Sequence, residues 1–152
     1  MSCLNSFQTA TIVSLLAVAT IPAIAQPTPR VIAHNVEVSG EVAATFHIEP
    51  NHNPQVNQPT TAWFALTRRG GSSIPLSQCN CTLQVFPVPH AHDAKALLKP
   101  ALIPLNVEQH QEIPGAKITF PQVGAYELEI SGTAKDQSFS PFKLTYTVNV
   151  VP

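Results

Sequence analysis

The sequence predicts an all-β protein, an immunoglobulin-like antiparallel β-sandwich of about seven strands, preceded by a signal peptide. Two observations lead to this prediction. Apolar and polar residues alternate with a period of two, as in strands with one buried face. The 15 prolines lie mostly between the apolar stretches, and each would destabilise a helix interior by about 3 kcal/mol. Short strands separated by Pro and Gly turns are typical of a sandwich.

Seven segments have the pattern of strands. The clearest are 126–130 and 142–150, in which every second side chain is apolar. Segment 60–68 is apolar on both faces, so we expect it in the middle of a sheet. The other four candidates are residues 35–38, 42–48, 81–86 and 117–120. Residues 87–115 lack a clear pattern and are expected to form a long irregular loop.

The segment from Phe120 to Leu128 contains Pro121, Gly124 and Tyr126 in the arrangement of a tyrosine corner. In that motif, a tyrosine hydroxyl at the start of a strand bonds to the backbone just upstream. An ordinary core tyrosine that follows a glycine turn would give the same pattern. Both interpretations remain open at the level of the sequence.

The first 25 residues have the layout of a secretory signal peptide. Residues 1–8 are polar, residues 9–25 are mostly apolar, and Ala23-Ile24-Ala25 provides small residues before a cleavage site. The alternative is an uncleaved membrane anchor, although 17 residues fall short of the roughly 20 that span a bilayer. We therefore predict a signal peptide at 1–25, a flexible linker at 26–32 and the sandwich at 33–152, exported to the periplasm or the extracellular space.

The low charge and the absence of catalytic motifs argue against several classes of function. The chain has 8 basic and 9 acidic residues, and only 11% of its residues are charged. So neutral a chain is not expected to capture nucleic acid, and no stable membrane insertion is expected after signal cleavage. The sequence also lacks a nucleophile elbow, a metalloprotease motif and a phosphate loop, so we expect no enzyme activity.

Three stretches carry a family resemblance: residues 41–50, 63–75 and 120–130, the last followed by a strand that ends at Val150. Together they resemble bacterial periplasmic immunoglobulin-like domains of the YtkA-like and CopC-like type, and more closely the uncharacterised small secreted proteins of cyanobacteria. The resemblance implies an immunoglobulin-like fold and a role as an accessory or copper-handling module.

Cys79 and Cys81 are separated by one residue and form the sequence feature that most suggests chemistry. On a strand they share a side with Leu83 and Val85, which directs them towards the core. Exported cysteine pairs are usually oxidised, so a Cys79–Cys81 disulfide is the favoured interpretation. Two buried, inert thiols are a second interpretation. A thiol–disulfide enzyme is the least favoured class, because no Cys-x-x-Cys at a helix start is present.

A metal site is the third interpretation of the cysteine pair. His90 and His92 follow Cys81 closely, and two thiolates with two imidazoles suit copper or zinc. Our leading prediction is nevertheless a non-catalytic exported binding module that needs no cofactor. It would present the 87–115 loop and one sheet edge to a protein partner. The alternative is a periplasmic copper- or zinc-handling protein that uses Cys79, Cys81, His90 and His92.

Overall fold

A computed structural model describes residues 35–152, so the predicted signal peptide and linker lie outside the described residues. This part of the chain contains eight strands and one short 3-10 helix, Leu76–Gln78. The strands are β1 (Asn35–Ser39), β2 (Val42–Ile48), β3 (Pro59–Arg68), β4 (Cys79–Pro87), β5 (Ile103–Val107), β6 (His110–Thr119), β7 (Gly124–Ala134) and β8 (Phe142–Val150). The described residues contain no apolar helix of the length that a bilayer span requires.

The strands form two antiparallel sheets. One sheet has the order β1-β2-β3-β6-β5, and the other has the order β4-β7-β8. If β2 to β8 are lettered A to G, these orders become A-B-E-D and C-F-G, with β1 added at one edge. This is the strand order of a constant-type immunoglobulin domain, so the predicted all-β sandwich is confirmed.

The core lies between the two sheets and follows from the period-two pattern. Every second residue of β2 and of β8 is buried, beginning with Val42 and Phe142 respectively. Central strand β3 supplies Phe64 to this core, and its neighbour Trp63 points to the opposite side of the sheet. The expectation that β3 lies in the middle of a sheet is therefore confirmed, since it pairs with both β2 and β6.

The tyrosine corner is present. The hydroxyl of Tyr126, near the start of β7, donates a hydrogen bond to the Gln122 carbonyl at 3.0 Å. The Tyr126 ring also lies against Phe120, with ring centroids 4.9 Å apart. The corner fixes the path by which the chain leaves β6 in one sheet and enters β7 in the other.

The expectation for residues 87–115 was wrong in its second half. Strand β5 was missed, and β6 begins at His110 instead of Lys117. Pro104 pairs with Pro114 across these two strands, and Gly115 follows directly. Prolines are tolerated at the edge of a sheet, where the missing N–H costs no ladder bond. The prolines of this segment suggested a loop, although the segment forms an edge strand. Only residues 88–102 connect β4 to β5.

Candidate functional site

The structure places Cys79 and Cys81 at the start of β4 and joins their sulfur atoms in a disulfide. The two Cα atoms are 5.2 Å apart, compared with about 6.6 Å for residues two apart in a fully extended strand. The first residues of β4 are therefore contracted. Closing so small a loop contributes only about 1.5 kcal/mol to stability, so the bridge is a local clip and not the main support of the fold.

Gly132 of β7 lies directly opposite this disulfide. It pairs with Cys81, and a Cβ atom added at position 132 would lie 2.7 Å from Cys79 Sγ and 2.8 Å from Cys81 Sγ. Such distances are far inside van der Waals contact. A glycine at position 132 is therefore what gives the two sulfur atoms their space.

The two cysteines differ in exposure. Cys79 belongs to the core and is 3% exposed, whereas Cys81 is partly exposed. Cys81 lines a surface cleft of about 280 Å³ between β4 and residues 99–102, and Lys99 lines the same cleft. The preceding residues hold this segment against β4, since the Val85 N–H donates to the Leu98 carbonyl at 2.9 Å.

His90 and His92 lie beyond the other end of β4. Along that strand, Cys81 pairs with Gly132 and Pro87 pairs with Tyr126, a separation of about 20 Å at the rise of a strand. The structure therefore does not bring the two histidines to the two cysteines. Within residues 35–152, no three His, Cys, Asp or Glu side chains are grouped closely enough to hold a metal ion.

His90 instead fastens the segment after β4 to the sheet. Its ring stacks on Phe86 with centroids 4.7 Å apart, and its Nε2 lies 3.1 Å from Glu127 Oε1. A hydrogen bond from Nδ1 to the Ala91 carbonyl raises the pKa of His90 above its ordinary value, and Glu127 adds to the rise. His92 is exposed.

The outer face of the three-stranded sheet is polar apart from Phe86, which stacks against the His90 ring. A salt bridge of 2.8 Å joins Lys143 Nζ to Glu129 Oε2, and the hydroxyls of Thr82 and Ser131 lie 3.2 Å apart. The outward side chains of β8 follow the same pattern: Lys143, Thr145, Thr147 and Asn149. This is the solvated face expected of an antiparallel sheet with one side on the core.

The outer face of the five-stranded sheet is different, and sequence reasoning missed it. Trp63, Ala65 and Ile113 form a buried cluster there, separate from the main core, and Leu105 and Val107 pack against it. The register adds further outward side chains from the edge strands β1 and β5: Val36, Val38 and Ile103. These three are 58%, 68% and 41% exposed.

Histidines complete one end of this face. The His47 ring stacks on Trp63, its partner across β2 and β3, with centroids 5.2 Å apart, and its Nε2 lies 3.2 Å from Glu49 Oε1. The His52 ring lies edge-on to His47 at 4.6 Å. From here on, the outer face means that of the five-stranded sheet, which we define as Val36, Val38, His47, Trp63, Ala65, Ile103, Leu105, Val107 and Ile113. The outward side of the three-stranded sheet is called the polar face. The sequence offered one signal for it, the apolar character of both sides of β3.

Comparison with known proteins supports the fold alone. No family model and no curated protein matches the chain. Among solved structures, it is similar to a DUF4426 family protein from Pseudomonas aeruginosa PAO1, with a TM-score of 0.51 and 11% sequence identity. The alignment covers 78% of this chain and 95% of that protein. This likeness supports a small β-sandwich domain without singling out the YtkA-like or CopC-like type.

Proposed function

We propose that this protein is an exported, non-catalytic binding module that docks a protein partner through its outer face. The observation that carries the proposal is the contrast between the two sheets. One sheet turns mainly polar and charged residues away from the core, whereas the other turns an apolar cluster away from it. That cluster is buried, and the exposed apolar side chains of the same sheet, Val36, Val38 and Ile103, stand at its two edges. Exposed apolar side chains that adjoin an outward apolar cluster support an interaction site on this sheet.

The distribution of burial on the outer face suits docking. Its centre is already packed, with Trp63 at 4% exposure and Ile113 at 0%. Its edges carry the exposed side chains of Val38 and Ile103. A rigid centre lowers the entropy lost on binding, and the exposed edges supply the apolar area that a partner would cover.

The chemistry of the outer face supports a neutral, apolar protein surface as the partner. The strand positions that surround the buried cluster carry small or uncharged side chains, such as Ala43 and Thr45, and Lys117 lies near one margin. A face with so little charge offers neither the positive field that captures nucleic acid nor the charge pairs that orient an ionic partner. The sequence resemblance to accessory domains agrees with this role.

The proposal is tested by differential capture from the exported proteins of the source organism. Val38→Lys and Ile103→Lys place a charge on the outer face, and Thr145→Lys places the same charge on the polar face as a matched control. We expect wild type and Thr145→Lys to retain the same protein. Each outer-face variant should weaken binding of that protein by about tenfold or more, as expected for a charge buried without a partner.

Circular dichroism and urea unfolding would establish that the three variants remain folded. Equal loss of binding in Thr145→Lys would assign the interaction to general charge instead of the outer face. Unchanged binding in both outer-face variants would contradict the proposal.

A further inference from the structure

We propose that the Cys79–Cys81 disulfide is a thiol–disulfide exchange site that accepts electrons from the thiols of a dithiol polypeptide. This proposal does not depend on the outer face, which lies on the other sheet. It rests on the unequal exposure of the two sulfur-bearing residues, the cleft beside one of them, and the small ring that the disulfide closes.

The exposure of the two residues sets which sulfur is attacked. Cys79 is part of the core, whereas Cys81 borders the cleft between β4 and residues 99–102. An incoming thiolate approaches Cys81 Sγ from this cleft. Cys79 Sγ is the leaving group, and it stays on the core side of the strand. Exchange depends on access to the sulfur that is attacked. The cleft therefore makes Cys81 Sγ the attacked atom and Cys79 Sγ the leaving group.

The ring closed by the disulfide favours reduction. Its loop contains only one residue between the cysteines, so the oxidised form gains little from loop closure. Bridges that contribute little to folding are more easily reduced than those that close long loops.

Lys99 is the basic residue among those that line the cleft. It lines the cleft together with Cys81, and a nearby ammonium group favours the ionised form of a cysteine over the neutral thiol. The same charge would favour the thiolate of the incoming polypeptide while it approaches Cys81.

The exchange has two balanced steps. First, the partner's thiolate forms a bond to Cys81 Sγ as the Cys81–Cys79 bond breaks, and Cys79 takes up a proton. Second, the partner's other thiolate attacks the mixed disulfide, which releases and protonates Cys81. The polypeptide dithiol is thereby oxidised to a disulfide, and this protein is reduced by two electrons and two protons.

Mixed-disulfide mapping on the intact protein tests the direction of attack. The oxidised protein is incubated with a synthetic peptide that carries one cysteine, and the adduct is located by mass spectrometry after digestion. We expect the peptide on Cys81. An adduct on Cys79, or a disulfide that dithiothreitol reduces only after urea unfolding, would overturn the proposal.

Single-cysteine variants give an independent measurement. Cys79→Ser leaves a free thiol at Cys81, and Cys81→Ser leaves one at Cys79. The Cys81 thiol should react with an aromatic disulfide reagent about tenfold or more faster than the Cys79 thiol, because the reagent must reach the sulfur atom. Lys99→Gln should slow attack on the wild-type disulfide severalfold, with Lys95→Gln, an exposed lysine nearby, as the control. Equal rates for the two thiols, or equal slowing by the two lysine variants, would contradict the site.

Discussion

The hydroxyl of Tyr146 donates a hydrogen bond to the Ala44 carbonyl at 2.9 Å, which joins β8 of one sheet to β2 of the other. The Tyr146 ring stacks on Phe46 with centroids 4.6 Å apart, so the polar link is enclosed by aromatic contacts. Backbone ladders hold each sheet together, but this bond connects the two sheets through the core.

Removal of this link should destabilise the protein. Tyr146→Phe preserves the ring and leaves the buried Ala44 carbonyl without its side-chain donor, so we expect a loss of about 1–3 kcal/mol in the free energy of unfolding. Tyr126→Phe removes the partly buried bond to Gln122 and serves as the matched control, with an expected loss of about 1 kcal/mol. Urea denaturation measures both. A neutral Tyr146→Phe variant would show that the link does not contribute to stability.

Tyr146 should also limit stability at alkaline pH. Burial raises the pKa of its hydroxyl above the ordinary value of 10.0. The folded state therefore keeps a proton that the unfolded chain releases, so stability falls as the pH rises above about 10. The fall should be smaller in Tyr146→Phe, as measured by urea denaturation at several alkaline pH values. An identical alkaline profile in the two proteins would contradict this prediction.

Gly132 and the disulfide should be energetically coupled. Gly132→Ala places a methyl group against both sulfur atoms, and overpacking of this kind costs about 1–3 kcal/mol. In a Cys79→Ala/Cys81→Ala background the sulfur atoms are gone, so the same substitution should cost much less. Thr133→Ala, at an exposed position of the same strand, controls for changes unrelated to the contact. Equal costs in the two backgrounds would show that the disulfide does not require the glycine.

His90 should give the segment after β4 a pH-dependent attachment. The pKa of His90 is raised in the folded protein. Its protonated ring therefore stabilises the folded state fully below about pH 6.5, and this contribution to the free energy of unfolding is lost as the pH rises through the raised pKa. Proton NMR of the ring should show titration above the ordinary pKa, and Glu127→Gln should lower the pKa while His92→Gln leaves it unchanged. A titration insensitive to Glu127→Gln would exclude that carboxylate as a cause.

Intact-mass analysis of the protein expressed from the whole sequence tests the predicted signal cleavage, the cysteine pair and the metal alternative together. We expect cleavage after Ala25 and an oxidised form lighter than the reduced form by two hydrogen atoms. After equilibration with copper and gel filtration, the metal content should be well below one ion per chain, since the structure separates the cysteines from His90. Stoichiometric copper that disappears in Cys81→Ser would instead support the metal-handling alternative.

Most of the fold could be predicted because alternation is strongest where one face of a strand meets the core. Strand β8 follows this rule throughout, and β2 follows it except at His47, which is buried on the opposite face; the sequence identified both strands. Strand β5 was not predicted because it lies at an edge of the sheet, exposes most of its side chains and contains Pro104. Its alternation is weak for the same physical reasons, so the pattern of residues could not distinguish it from a loop.

The site could be predicted only in part. The phase of Cys79 and Cys81 against Leu83 followed from strand geometry, because side chains two apart share a face. For the outer face the sequence offered only the apolar character of both sides of β3, since the face also depends on Leu105 from the missed strand β5 packing over Gly115 of β6. A Cβ at Gly115 would lie 2.6 Å from Leu105 Cγ, which shows how closely the two strands approach.

The chain has a single tryptophan, which lies on the outer face, whereas both tyrosines lie in the core between the two sheets. Selective excitation of Trp63 therefore gives a signal from the proposed docking surface, and tyrosine ellipticity gives one from the space between the sheets. Occupation of the surface should change the first signal without the second, whereas unfolding should change both. The wild-type protein thus carries its own optical probe, and binding can be followed without any added label.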